Sequence, residues 1–553
     1  MVNKLKKRIQ SSTKKEKLTF GILVGILLVM GGYFFELYFV NQRIFTNFIF
    51  FNNADSLVLP LLKKSLLAGD AFDWKFSTQL FVFPEGFLFF VSSLLFLGVK
   101  GTLIFNGLLN MLVMWLLIYL ILNRLRGGNR WIHPILSGLI TFIIICLMVL
   151  EKNPGSLIIT PYLLTTYYGG VIMSSLLSLW LALLTLNRSN EKPTSRPLVF
   201  IIIAVSLTAM LTTFSDPLFA AWYLAPLLAV VALGLLLNFL SLRASLLISL
   251  PVTIGAIAGM ASRSLFKHLI GASLDGYIRP DKISESIISL ERQFSPLIHL
   301  RYQQLEYGIM VLIFMGLFTY LLYLIKKKTS KSGLANQELG QNFIVIGLGI
   351  AMPLITVAVV IFSGNSVTRY FLPVIFIPLI GLIALIANDY VYELIEQWKI
   401  LLILPCLLIT GLGLFSLPSV KALSSYYSSD TRCMDQQLPS HDYQYGLASF
   451  WNARTLELDS HTNKRLAQVY PDLNVFHWMS NLDSYNHDFT FVVVNQPASG
   501  PADINGTSVI EVAGTPNKVS NCQNFQLYVY EPGSEGHTKL NDFIKSNLQK
   551  LKN

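Results

Sequence analysis

Charge is scarce in this chain. Asp, Glu, Lys and Arg make up only 13% of its 553 residues, while 53% are hydrophobic, a balance that excludes an ordinary soluble domain. Cysteine is scarce too, with four in all. None of them stands at zinc-type spacing, and none of the eight histidines forms a pair at helical spacing, so no histidine- or cysteine-based metal centre is expected. Internal repeats and low-complexity tracts are lacking, which argues against a solenoid or an array. The first apolar run, residues 21–40, has no small-residue cleavage site and is too long for a signal-peptide core, so it reads as a retained span.

What is present is apolar length. Runs of about 20 residues, each enough to cross about 30 Å of hydrocarbon, recur over the first four-fifths of the sequence. The expected fold is a polytopic α-helical membrane protein of about 11 to 13 transmembrane helices with a small C-terminal α/β domain. Its divisions are a basic N-terminus at 1–17, a transmembrane domain at 18–417 that includes a polar outer loop at 41–86, and an extracytoplasmic domain at 418–553. The formal charge of +11 does not call for nucleic acid. Lys4, Lys6, Lys7, Arg8, Lys14, Lys15 and Lys17 precede the first span, and Lys326–Lys328 follow another, as positive-inside anchors against membrane lipids do.

The same rule puts the N-terminus, 188–196, Arg243 and 326–331 in the cytoplasm, and Asp216, the loop 263–306, 365–370 and the tail outside. Four apolar segments lie between the first loop and Arg188, where an odd number of crossings is needed. Either 86–99 only dips into the membrane or 156–170 hides a short broken span. Arg124, Arg126 and Arg130 favour the dip. The tail carries short β-branched or aromatic runs at 443–458, 474–478, 490–495, 508–512 and 525–530, suggesting about five strands. Cys433 and Cys522 bracket most of it, and outside the cytoplasm they would pair as a disulfide.

The candidate functional residues cluster at the outer face. Asp55, in Asn53-Ala54-Asp55-Ser56, either caps the helix that starts near Leu57 or faces a cavity as a general base or a ligand of a divalent cation such as Mg or Mn. Asp216 precedes Pro217 in an ordinary capping pattern, yet it should lie level with Asp55, so the two carboxylates could converge. Arg369-Tyr370 opens a span from outside, as an interfacial pair or as a phosphate clamp. The loop 263–306 is basic, with Arg263, Arg279 and Arg301 among its cations; it is either a long extracytoplasmic loop or a gate over an anionic headgroup. Tyr168 precedes a Gly pair that would let a ligand approach the backbone. In the tail, Trp451, Asn452, Arg454 and Trp478 could bind sugar, although core packing is the commoner role of such aromatics.

A cytoplasm-anchored first helix, an outer loop with an early Asp, about a dozen spans, Arg369-Tyr370 with Pro373 in the last third, and an outer tail resemble the GT-C superfamily of integral-membrane glycosyltransferases. The likeness is nearest to uncharacterised bacterial members with Asp-Ser in the first loop followed by Phe-Pro-Asp/Glu, here Asp55-Ser56 and Phe83-Pro84-Glu85. It covers 18–417 and is architectural. It implies transfer of a sugar from a polyprenyl-phosphate donor to a lipid, glycan or protein acceptor at the outer face of the cytoplasmic membrane. Asp55 would be the base or metal ligand. Many members place a second acid beside that Asp; here the neighbours are Ala54 and Ser56, so Asp216 or Glu85 would have to substitute. Glu85, Tyr168, Arg279, Arg301, Arg369 and Tyr370 would bind substrate. Two other classes remain: a lipid or saccharide transporter, which usually shows inverted repeats and midspan charge, and a non-catalytic envelope assembly protein.

Overall fold

The structure, a computed structural model, describes residues 13–43, 51, 53–127, 130–150, 160–192, 195–271, 279–298, 305–330, 337–364, 367–387, 393, 403–439, 441–498, 500 and 502–552. Among the described residues nine helices are long and apolar enough to cross a membrane, and two shorter apolar ones accompany them. The chain is a multi-pass membrane protein with a C-terminal α/β domain.

In chain order the helices are α1 (Lys14–Arg43), α2 (Val58–Ala68), α3 (Phe87–Ser93), α4 (Gly98–Arg126), α5 (Ile132–Leu150), α6 (Gly169–Asn187), α7 (Arg196–Ser215), α8 (Ala225–Leu236) and α9 (Leu242–Leu265). There follow α10 (Ile283–Ile298), α11 (Leu305–Ser330), α12 (Gln337–Ser363), α13 (Leu372–Ile386) and α14 (Ile403–Ser425). Helix α1 packs between α5 and α14, α7 lies along α9, and α12 lies along α13. Packing in lipid favours small residues at such crossings. A Cβ on Gly255 would sit 2.2 Å from the Ser206 carbonyl oxygen, so α7 and α9 meet closely because that side chain is missing.

Helix α3 has seven residues, about 10 Å of rise, and cannot cross the bilayer. Of the segment 156–170, the described part is a single 3-10 turn, Thr160–Leu163, and a short coil before α6. The short helix is in keeping with a dip at 86–99, and residues 156–159 of the alternative lie outside the described residues. In helix α2, Val58, Leu59, Pro60 and Leu62 are buried, and the helix is wedged between the membrane core and the tail.

Helix α14 runs through Pro418 to Ser425, and the α/β fold starts with α15 (Ser429–Gln437). Its five-stranded sheet has the order β3-β2-β5-β7-β6, with β2 Tyr445–Ser449, β3 Arg465–Val469, β5 Phe491–Asn495, β6 Lys518–Asn521 and β7 Phe525–Val529. Strand β2 pairs in parallel with β3 and β5; β7 is antiparallel to β5 and β6. Two buried apolar clusters fill the domain. Residues 508–512, read from their β-branched side chains as a strand, instead belong to helix α17 (Gly506–Ala513), which Asn505 caps through the Ser508 N–H at 2.8 Å. Helix α16 (Phe450–Asp459) joins β2 to β3, and α18 (Glu535–Lys552) closes the chain. Cys433 and Cys522 are joined as a disulfide across 89 residues.

The outer loop and the tail are stitched together. Strand β1 (Trp74–Lys75) pairs antiparallel with β4 (Ser480–Asn481), so part of 41–86 is built into the tail's edge.

Candidate active site

Asn53 shapes the turn that presents Asp55. Its side-chain oxygen accepts the Asp55 N–H at 3.1 Å and its carbonyl accepts the Ser56 N–H at 3.0 Å, starting a one-turn helix over Ala54–Leu57. The capping role is thus taken by Asn53. The turn is braced from a second segment, just before α6. Thr165 donates to the Ser56 carbonyl at 2.6 Å, and Thr166 donates to the Asp55 carbonyl. Tyr168 ends that segment in the left-handed region at φ 66°, a conformation that costs a residue with a side chain about 1–3 kcal/mol and persists only where its surroundings enforce it.

Asp55 and Arg369 face one another. Arg369, in the one-turn helix Thr368–Phe371 ahead of α13, donates through Nη1 to Asp55 Oδ2 at 3.3 Å. The Tyr167 hydroxyl lies 3.0 Å from the same oxygen and 2.7 Å from Asn53 Oδ1, and its ring centroid is 5.5 Å from the guanidinium carbon. Burial, together with the Asp55 charge, pushes the Tyr167 hydroxyl far above its ordinary pKa, so it stays a donor. The side chains of Asp55 and Arg369 are 10% and 28% exposed. Asp55 Oδ1 and Arg369 Nε are both buried and lack a hydrogen-bond partner. Such orphans cost about 1–3 kcal/mol each. An acceptor oxygen and a cationic N–H, one on each member of the ion pair and both without a partner, suit a hydroxyl and a phosphate.

A second cluster lies below. Ser215 accepts the N–H groups of Val82 and Phe83 at 2.9 and 3.1 Å through its hydroxyl oxygen, docking the Glu85 segment onto the end of α7. Glu85 accepts the Gly170 N–H at 3.1 Å, and a Cβ on Gly170 would fall 2.2 Å from its carboxyl carbon. Asp216 accepts the Leu218 N–H at 2.9 Å, the cap its sequence suggested. Burial pushes Glu85 up to about 8, helped by the Asp216 charge. Burial likewise raises Asp216 to about 7, against the pull of the Leu218 N–H and Arg263. Among the described residues no hydrogen bond or ion pair links Asp216 to Asp55. Tyr168 stands between the two sets: its ring packs 5.5 Å from Tyr370 and 5.6 Å from Trp222.

Arg279 is half exposed, 3.9 Å from Asp281, and Arg301 lies outside the described residues. Arg263 is buried in α9 and donates to the Phe214 carbonyl at 2.9 Å, a structural commitment. The described residues include no group of three His, Cys, Asp or Glu that could hold a metal. Asp55 has a guanidinium beside it, a donor set that does not fit a divalent cation. The bracing by Thr165, Thr166 and Tyr167 was hidden in the sequence; its signal was a run of hydroxyl side chains between apolar segments.

No family model matches the sequence, and no curated protein does. Among the solved structures that align loosely with the chain are two of the Archaeoglobus fulgidus oligosaccharyltransferase. The apo form is 12% identical, covers 85% of this chain and 69% of its own, and has a TM-score of 0.42. The complex with Zn and sulfate is 12% identical, with coverage of 87% and 68% and a TM-score of 0.39. At those values the likeness carries no residue-level weight, and what the site can do rests on its own geometry.

Proposed function

We propose that the chain is a membrane glycosyltransferase that moves a sugar from a polyprenyl-phosphate donor to an acceptor hydroxyl at the outer face of the cytoplasmic membrane. The N-terminus would be cytoplasmic and the tail outside, an orientation in keeping with its disulfide. The observation that carries the reading is the Asp55–Arg369 pair with its two unused atoms, Oδ1 and Nε. In an inverting transfer the acceptor oxygen attacks the anomeric carbon and its proton passes to Asp55. The bond from that carbon to the phosphate oxygen breaks, and the electron pair leaves with the phosphate. Arg369 stabilises the charge that builds there. Tyr167, donating to Asp55 Oδ2, turns the other oxygen toward the acceptor. Tyr370 and Tyr168 form the aromatic floor beside Arg369.

The test is transfer of radiolabelled sugar from polyprenyl-phosphate donors in proteoliposomes, wild type against Asp55→Asn. Wild-type transfer that vanishes in a folded Asp55→Asn protein supports the reading; transfer that survives removes Asp55 as the base. A second reading, a proton-coupled transporter of lipid or saccharide, draws on the buried carboxyls of Glu85 and Asp216. Uptake of labelled saccharide driven by a pH gradient, with no transfer product, would favour it.

A further inference from the structure

Helix α16 of the tail turns one face onto the Asp55 loop. Thr455 donates to the Phe51 carbonyl at 3.4 Å, and Lys64 of α2 donates to the Glu457 carbonyl at 2.9 Å. Asp459 forms a buried ion pair with Lys100 at the start of α4. At the centre of this face is Arg454, 2% exposed. Its Nη1 donates to the Ala54 carbonyl at 2.8 Å, the peptide that leads into Asp55. Nη2 donates to the Met479 and Trp478 carbonyls at 2.7 and 3.2 Å, Nε to Gln468 Oε1 at 3.2 Å, and the guanidinium carbon lies 4.2 Å from the Phe450 ring centroid.

Those contacts use four of the five N–H groups of a guanidinium that is only 2% exposed, which removes Arg454 from the tail residues offered for sugar binding. They also pose a question. The direct contacts of this buried guanidinium are carbonyls, an amide and an aromatic face, and the Asp55 carboxylate acts on it only through space. Burying a cation without a paired anion is costly, and an apolar side chain of similar volume would fill the space for less. What an apolar residue could not do is hold the Ala54 carbonyl while setting a positive charge behind Asp55. With Arg369 ahead of α13, the carboxylate turn is gripped by one cation from the helical part of the chain and one from the tail.

We infer that Arg454 is a positioning residue through which the C-terminal domain fixes the Ala54–Asp55 turn against Arg369. Its importance for catalysis rests on the reading of Asp55 as the reacting carboxylate, but the hold on the turn does not. Hydrogen–deuterium exchange of the full chain in lipid nanodiscs separates the two. The Asp55 and Ser56 amides, bonded to Asn53, report the turn, and the β5 amides at 491–495 report the tail's core. Arg454→Met should speed exchange at Asp55 and Ser56 by about tenfold or more while β5 keeps its protection, since tenfold corresponds to about 1.4 kcal/mol of lost restraint. Arg454→Lys, whose ammonium can still reach carbonyls, should fall between Met and wild type.

Unchanged exchange at Asp55 and Ser56, or equal exchange in the Lys and Met variants, would overturn the inference. So would loss of protection at β5 in parallel with the turn, which would make Arg454 a core residue only. If Arg454→Met does not fold, Arg454→Lys decides alone: faster exchange confined to the turn supports the hold, and the wild-type rate overturns it. Where wild type transfers sugar, Arg454→Lys should lower kcat and leave the donor KM unchanged. If wild type transfers none, the glycosyltransferase reading fails while the exchange result still stands or falls by itself.

Discussion

Arg369 Nη1 lies 3.3 Å from Asp55 Oδ2, an ion pair that ties together two segments 314 residues apart. Breaking one half of a largely buried pair leaves the other charge stranded, so the partners' contributions should not add. In a cycle of Asp55→Asn, Arg369→Gln and the double variant, thermal unfolding in detergent should give a coupling of about 0.5–3 kcal/mol. Additive losses would mean that the two side chains do not meet in solution. In sugar transfer, Arg369→Lys should cost about 10- to 100-fold, because a point charge cannot replace the planar fork beside a phosphate.

The membrane architecture was readable because the bilayer demands about 20 apolar residues per crossing, and runs of that length are hard to miss. Asp55, Glu85, Asp216 and Arg369 were each readable as polar residues at the ends of apolar runs. Their partners were not. Nothing local in the sequence says that Thr165, Thr166 and Tyr167 reach the Asp55 turn, since the contacts span more than 100 residues. Among its aromatic neighbours Arg454 read as a residue either for sugar binding or for packing, and only the fold shows it turned inward to Ala54. Residues 508–512 misled for a simpler reason. Val509, Ile510 and Val512 favour strands, but the Asn505 cap and the burial of Val509 and Ala513 on one helical face outweigh propensity.

Gly170 should tolerate no side chain while Glu85 is in place. A Cβ there would fall 2.2 Å from the Glu85 carboxyl carbon, and that carboxyl is held by the Gly170 N–H. Gly170→Ala is expected to destabilise the protein by about 1–3 kcal/mol. Glu85→Ala in the same chain should recover much of the loss, because it removes the atoms that collide. Equal melting temperatures for wild type and Gly170→Ala would show that Glu85 moves aside freely.

Glu85 also sets an expected pH dependence. Its carboxyl titrates near 4.5 when unfolded and near 8 in the fold, since burial and the Asp216 charge oppose ionisation. Between those values the folded state binds more protons than the unfolded one, so stability falls as pH rises. The contribution is fully present below about pH 4.5 and gone above about pH 8. Asp216, raised to about 7, acts in the same direction. Melting temperature should therefore decline from pH 5 toward about pH 8, and Glu85→Gln, permanently neutral, should flatten the decline. A slope unchanged by Glu85→Gln would assign the titration elsewhere.

The disulfide offers a test of how far the tail stands on its own core. Cys433, in α15, and Cys522, just after β6, close a loop of 89 residues that contains most of the sheet. Loop-closure entropy for a ring of that size corresponds to about 4.6 kcal/mol taken from the unfolded state. The tail's two apolar clusters are modest in size, so that share matters. Cys433→Ser with Cys522→Ser should lower the tail's unfolding midpoint in denaturant by an amount equivalent to about 2–5 kcal/mol. Because β1 and β4 pair the tail to the outer loop, exchange at the Asp55 turn should quicken as the tail loosens. A tail that unfolds earlier while the turn keeps its protection would show that the membrane helices alone hold Asp55 in place.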